Sequence, residues 1–138
     1  MWPEAVERVA SFLRASGLEG QLEELLAGAQ APPGLPLAAT AFECEERLVV
    51  ALVPVGRTLD RRKLARAAAC SQLVTAHRPE FPFTGATVLL EQTALTAPTV
   101  WLEAGTPRHV LGLAPAQLSR LTRARPADLT EESQKGGG

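Results

Sequence analysis

Residues 48–54 read LVVALVP, seven apolar positions in a row. A strand this apolar must be covered on both faces, because a strand open to water on one side alternates polar and apolar residues. Seven residues are also far fewer than the roughly 18 needed to cross a bilayer. The chain must therefore build a sheet around this segment and lay further structure over each side. Residues 38–44 (AATAFEC) form a preceding strand, joined to it through the charged turn Glu45–Glu46–Arg47.

The rest of the sequence supplies the cover. Residues 3–16 carry Val6, Val9, Ala10 and Leu13 at helical spacing, with Pro3 at the start and Gly17 as a stop. A second short helix is expected over 18–27, with Leu22, Leu25 and Leu26 on one side, followed by the Pro/Gly-rich connection 29–36. Thr58 or Asp60 caps a helix running to about Ala69. Strands follow at 72–76, 86–91, 99–103 and 108–113, with a Pro-containing loop over 77–85. Pro115 opens a last helix over 115–124. The reading is α+β: a single domain over residues 1–125, with a mixed, barrel-like sheet and flanking helices. Residues 126–138, ending in GGG, lack an apolar pattern and are expected to be a disordered tail.

Net charge argues neither for nor against a nucleic-acid partner. The 138 residues sum to −1, but the total hides an asymmetry. Residues 1–46 hold two arginines against eight glutamates; the remainder holds twelve basic residues against seven acidic ones. Cys44 and Cys70 show no metal-ligand spacing. The segment MWPEAVERV is acidic and amphipathic, unlike a secretion signal. The expectation is a cytoplasmic protein with two reduced, buried thiols.

Few residues offer catalytic chemistry. The sequence has no nucleophile elbow, HExxH, CxxC pair, Walker A or GxGxxG, so no cofactor or metal is called for. Arg57, Arg61, Arg62, Lys63 and Arg66 form a basic cluster suited to phosphate, or equally a solvated helix face. Arg120, Arg123 and Arg125 form another. Ala104–Gly105–Thr106–Pro107 lies between two expected strands, where a turn can present N–H groups and a hydroxyl to a ligand or simply reverse the chain. His109 follows as a base, a donor or a structural histidine.

With these elements in order, the chain resembles the bacterial YbaK/ProX family of aminoacyl-tRNA editing domains. The resemblance rests on TVWLEAGTPRHVLGLAPAQLSRLT (99–122), LVVALVPVGRTLDRRKLA (48–65) and VLLEQTAL (88–95), and spans residues 4–124. It implies a trans-acting deacylase that hydrolyses the ester of mischarged tRNA, such as Ala- or Cys-charged proline tRNA, without a protein nucleophile. Gly105, Thr106 and His109 would then form the catalytic group, with Thr40, Arg57, Arg61, Lys63 and Phe83 binding substrate. The partners implied are the tRNA 3′ end and an aminoacyl-tRNA synthetase, with no DNA and no membrane. Ala38 aligns where the family carries a Lys, and Arg57 or the 61–66 cluster would replace that cation. The alternative is a non-catalytic RNA- or protein-binding relative, and a third reading is a small-molecule binder in the same cleft. A shared cavity for Thr40, Arg57, Gly105 and His109 would favour the deacylase.

Overall fold

The computed structural model describes residues 2–18, 20–26 and 32–132. The apolar run becomes β3 (Arg47–Pro54), paired antiparallel with β2 (Leu35–Cys44) through a two-residue turn. Glu45 and Glu46 both take positive φ there, 50° and 70°, as a type I′ hairpin requires. Beyond β3 lie β5 (Thr87–Glu91) and β8 (Arg125–Ala127), each parallel to its neighbour. On the other side, β2 runs parallel to β6 (Val100–Glu103), followed by β7 (His109–Leu113) and β1 (Gln21–Glu24). A short β4 (Val74–Ala76) also pairs with β2. The mixed sheet agrees with the α+β expectation.

β3 is buried on both faces, as its composition demands. Val50 and Leu52 enter one core with Val9, Leu13, Val88, Leu90, Leu102, Leu111 and Leu118. Val49, Ala51 and Val53 enter a second with Phe42, Leu64, Leu89 and Leu129. Each fully buried Leu or Val contributes roughly 1.5–3 kcal/mol relative to exposure. Helix α1 (Glu4–Ala15) buries Val6, Val9, Ala10 and Leu13. Helix α2 (Arg61–Ala67) covers the second core through Leu64, with Asp60 accepting from the N–H groups of Arg62 and Lys63. Helix α3 (Pro115–Thr122) starts at the expected proline. Among the described residues, no helix is long and apolar enough to cross a membrane.

Three expectations need correction. The second helix is instead strand β1, which pairs with β7 from Gln21↔Gly112 to Glu24↔His109. Edge pairing overrides a weak local helical pattern. Gly20 fits beside this edge because a Cβ there would lie 2.7 Å from Leu111 Cδ1. Residues 19 and 27–31, part of that helix and its connection, lie outside the described residues.

The tail expected from residue 126 is part of the fold as far as Thr130. β8 extends the sheet, Leu129 is fully buried and Thr130 bridges to Leu59. Residues 133–138 lie outside the described residues.

Cys44 and Cys70 form a disulfide, with Cα atoms 6.0 Å apart, rather than two free thiols. It joins the end of β2 to the segment leaving α2. Their separation of 26 residues carries no motif; they meet because α2 packs back over β2.

Candidate active-site cleft

The sheet is split along one edge of β2. β6 pairs with β2 over Leu35 and Pro36, and β4 pairs over Ala41–Glu43. Between them, residues 37–40 have no strand ladder on that side among the described residues. The ladder fixes which groups face this gap. The Val55 N–H donates to Pro36 O at 2.9 Å across β3, whereas the Leu35 N–H donates to Thr99 O at 2.9 Å on the other side. Strand alternation then turns the N–H and C=O of Ala39 away from β3, toward the gap.

A cleft of about 310 Å³ opens there. Leu37, Phe81, Phe83 and Leu102 give it an apolar floor drawn from the first core. Ala38, Val55, Arg78, Glu80, Glu103 and Gly105 line the remainder. The Arg78 guanidinium donates to the Glu103 carboxylate at 2.6 Å, both side chains about one-third exposed. Glu80 is gripped by Arg8 of α1 through two hydrogen bonds, 2.7 and 3.2 Å. That hydrogen bonding holds the Glu80 carboxyl below the usual carboxylate range.

Helix α1 also fixes the opposite lip. Gly105 adopts φ 95°, and a Cβ there would lie 2.8 Å from the Ala5 carbonyl carbon and 2.9 Å from its oxygen. Only glycine lets the helix backbone approach this closely without strain. Behind the turn, Thr106 Oγ1 and His109 Nδ1 are 2.6 Å apart, and the Arg108 N–H donates to the same hydroxyl at 3.2 Å. His109 is buried, its ring edge-on to Trp2 at 5.5 Å.

The sequence candidates therefore divide. Gly105 and Phe83 line the cleft. Thr106 and His109 stand behind the turn, outside the lining. Thr40 is exposed on β2 beside the gap but outside the lining. The basic candidates Arg57, Arg61 and Lys63 do not line the cleft. Arg57 donates to Thr130 Oγ1 at 2.8 Å, and Lys63 binds Asp128 at 3.0 Å and Thr130 O at 2.7 Å. Arg61 donates to Leu73 O at 2.8 Å and lies 4.8 Å over the Phe42 ring. These three side chains bind the C-terminal segment and the chain after α2. A cavity shared by Thr40, Arg57, Gly105 and His109, which would have favoured the deacylase, is absent among the described residues, since of the four only Gly105 lines the cleft. Missed by the sequence reading are Arg78, Glu103 and Glu80. Arg78 carried one signal, a basic residue in the Pro-rich loop; Glu103 ends an expected strand like many surface residues.

Glu91 is the other charged residue of note, buried at 1% exposure. Burial pushes its carboxyl up, but the Leu129 N–H at 2.8 Å and the Thr93 N–H at 2.8 Å outweigh it, and the carboxyl sits below its ordinary value. It organises the C-terminal segment and does not line the cleft.

Solved structures share this fold. One, from work on epitope backbone grafting onto scaffold proteins, aligns with a TM-score of 0.82 and 24% identity, covering 96% of this chain and 100% of the other. Another, a crystal structure of a protein described as a candidate trans-editing enzyme for prolyl-tRNA synthetase, gives a TM-score of 0.80 at 24% identity, over 96% of this chain and 100% of that one. A third, described as a candidate signal transduction protein from Marinobacter aquaeolei VT8, gives 0.72 at 16% identity; it matches 98% of this chain but 32% of its own length. No protein-family model matches the chain, and no curated protein matches it. These likenesses establish the fold, a single domain of YbaK-like editing architecture.

Proposed function

We propose, with the editing-domain fold as the premise, that the chain is a trans-acting deacylase. It hydrolyses the ester between an amino acid and the 3′ end of a mischarged tRNA, with Ala- or Cys-charged proline tRNA as the first candidates. The observation that carries this reading is the cleft itself, a pocket with an apolar floor, charged rim groups and a glycine turn at one lip, in a fold shared with a candidate trans-editing enzyme.

An aminoacyl ester is already reactive, so positioning and charge stabilisation supply most of the rate. Water adds to the ester carbonyl, the tetrahedral oxyanion forms, and the ribose oxygen leaves with a proton. The products are the free amino acid and uncharged tRNA. Among the described residues, the lining holds no Ser, Thr, Cys or His, which suits direct attack by water. The turn at Gly105 is the proposed source of N–H donors for the oxyanion. Thr106 and His109 act as positioning residues that hold that turn from behind. Phe83 packs under the substrate's apolar part. Arg78 takes the role of the family's cation, binding the phosphodiester of the terminal nucleotide in place of the Lys that Ala38 replaces. Arg57, Arg61 and Lys63 do not line the cleft, so they leave the proposed binding set.

A second reading, an RNA- or protein-binding relative without activity, is favoured by Ala38 and by the separation of Thr40, Arg57 and His109 from the cleft that Gly105 lines. Single-turnover deacylation of charged tRNAs separates the two. An Arg78→Ala variant with kcat/KM reduced roughly tenfold or more, the size of one lost charge-assisted hydrogen bond, and partly restored by Arg78→Lys supports the deacylase.

A further inference from the structure

We infer that the cleft selects substrates with a free α-ammonium group and excludes N-acylated ones. The inference rests on the deacylase reading and adds which chemical handle of the aminoacyl group is read. Two observations carry it. The first is the gap in the sheet, where the N–H and C=O of Ala39 face the cleft without a strand partner among the described residues. The second is Glu103, a carboxylate at the same gap whose partner, Arg78, also lines the cleft.

An α-aminoacyl ester complements this pair of features. Its ammonium has three donors and no acceptor, and its carbonyl accepts. The Ala39 C=O and the Glu103 carboxylate take the ammonium, and the Ala39 N–H is left for an acceptor on the same substrate. This is one rung of β-strand pairing offered to a single amino acid. When the ammonium binds Glu103, the Arg78 guanidinium is released from its 2.6 Å contact and turns to the phosphodiester. One ion pair thereby becomes two substrate contacts. An N-acylated substrate brings a neutral amide with one donor. It would leave Glu103 on Arg78, and so lose both contacts at once.

The test uses non-hydrolysable probes, so its readout is independent of catalysis. The probes are 3′-deoxy-3′-(alanylamino)adenosine and its N-acetyl derivative, titrated into the full chain with amide chemical shifts and calorimetry as readouts. The expected result is at least roughly tenfold tighter binding of the free amine, the loss expected for one charge-assisted contact, with the Ala39 amide among the resonances that move. Glu103→Gln should reduce the ratio to about twofold or less. Arg78→Ala should keep the discrimination, because Glu103 remains, while weakening binding of a probe that carries a 5′-phosphate. Equal affinity for both probes in the wild type, or an unchanged ratio in Glu103→Gln, overturns the inference while leaving the deacylase reading standing. Absence of binding by either probe, together with inactivity on charged tRNA, overturns both.

Discussion

Gly105 and Ala38 face the same cleft, yet they respond oppositely to substitution. A methyl group on Gly105 would meet the Ala5 backbone at 2.8 Å and force an L-residue to φ 95°. Gly105→Ala should therefore cost about 2 kcal/mol in urea unfolding, through strain and loss of the α1 contact. A loss of activity in that variant would report on folding as much as on chemistry. Ala38 is exposed and free of such contacts. Ala38→Lys should change stability by less than about 0.5 kcal/mol. It should raise deacylation several-fold, by supplying the cation that the resemblance places there; charged tRNA turnover measures this.

Glu91 contributes to stability through its buried charge. Its carboxyl lies below its ordinary value of 4.5 in the folded protein. The stabilisation it provides is present above pH 4.5 and is lost as pH falls through the folded-state value. Wild-type stability should thus fall on acidification below about pH 4.5. Glu91→Gln should be less stable by about 2 kcal/mol at pH 7 and show a flatter profile in that acid window. A wild-type and variant pair with parallel acid limbs would contradict this role.

At the scale of elements, the C-terminal strap and the disulfide decide how the second core closes. Leu129 is fully buried between α2 and the sheet. Leu129→Ala should cost about 3 kcal/mol, whereas a disordered tail would tolerate it. Reducing Cys44–Cys70, or replacing both by Ser, reopens a 26-residue loop and should cost about 3 kcal/mol on loop-closure grounds. Denaturant unfolding with and without reductant reads this directly. The elements legible in the sequence were those whose pattern is local: α1 from its stripe, β3 from its unbroken apolar run, α2 from its two cap candidates, of which Asp60 is the cap, and α3 from Pro115. β1 and β8 were not legible, because QLEE and RPA carry no strand pattern and gain their structure only from the edges they pair with. The disulfide was hidden for the same reason. It depends on where α2 packs, which neither cysteine encodes.

For the whole molecule, the fold could be read much further than the site. The order of motifs carried the architecture, since many weak local signals agree on one layered arrangement. The cleft depends instead on a gap between strands that pair elsewhere with β2, and on a loop that brings Arg78 to Glu103. Spacing alone reveals neither. The basic cluster at 57–66 shows the cost of reading charge without geometry. It looks like a phosphate site in the sequence, and in the fold Arg57 and Lys63 bind residues 128–130 while Arg61 binds Leu73. The proposed activity is removal of an amino acid from tRNA at this cleft. The most direct test is single-turnover hydrolysis of Ala- and Cys-charged proline tRNA by the full chain, beside Arg78→Ala and Ala38→Lys. Hydrolysis well above the buffer rate, reduced about tenfold or more in the first variant and raised in the second, is the predicted result. A folded wild type that leaves every charged tRNA at the buffer rate would contradict it.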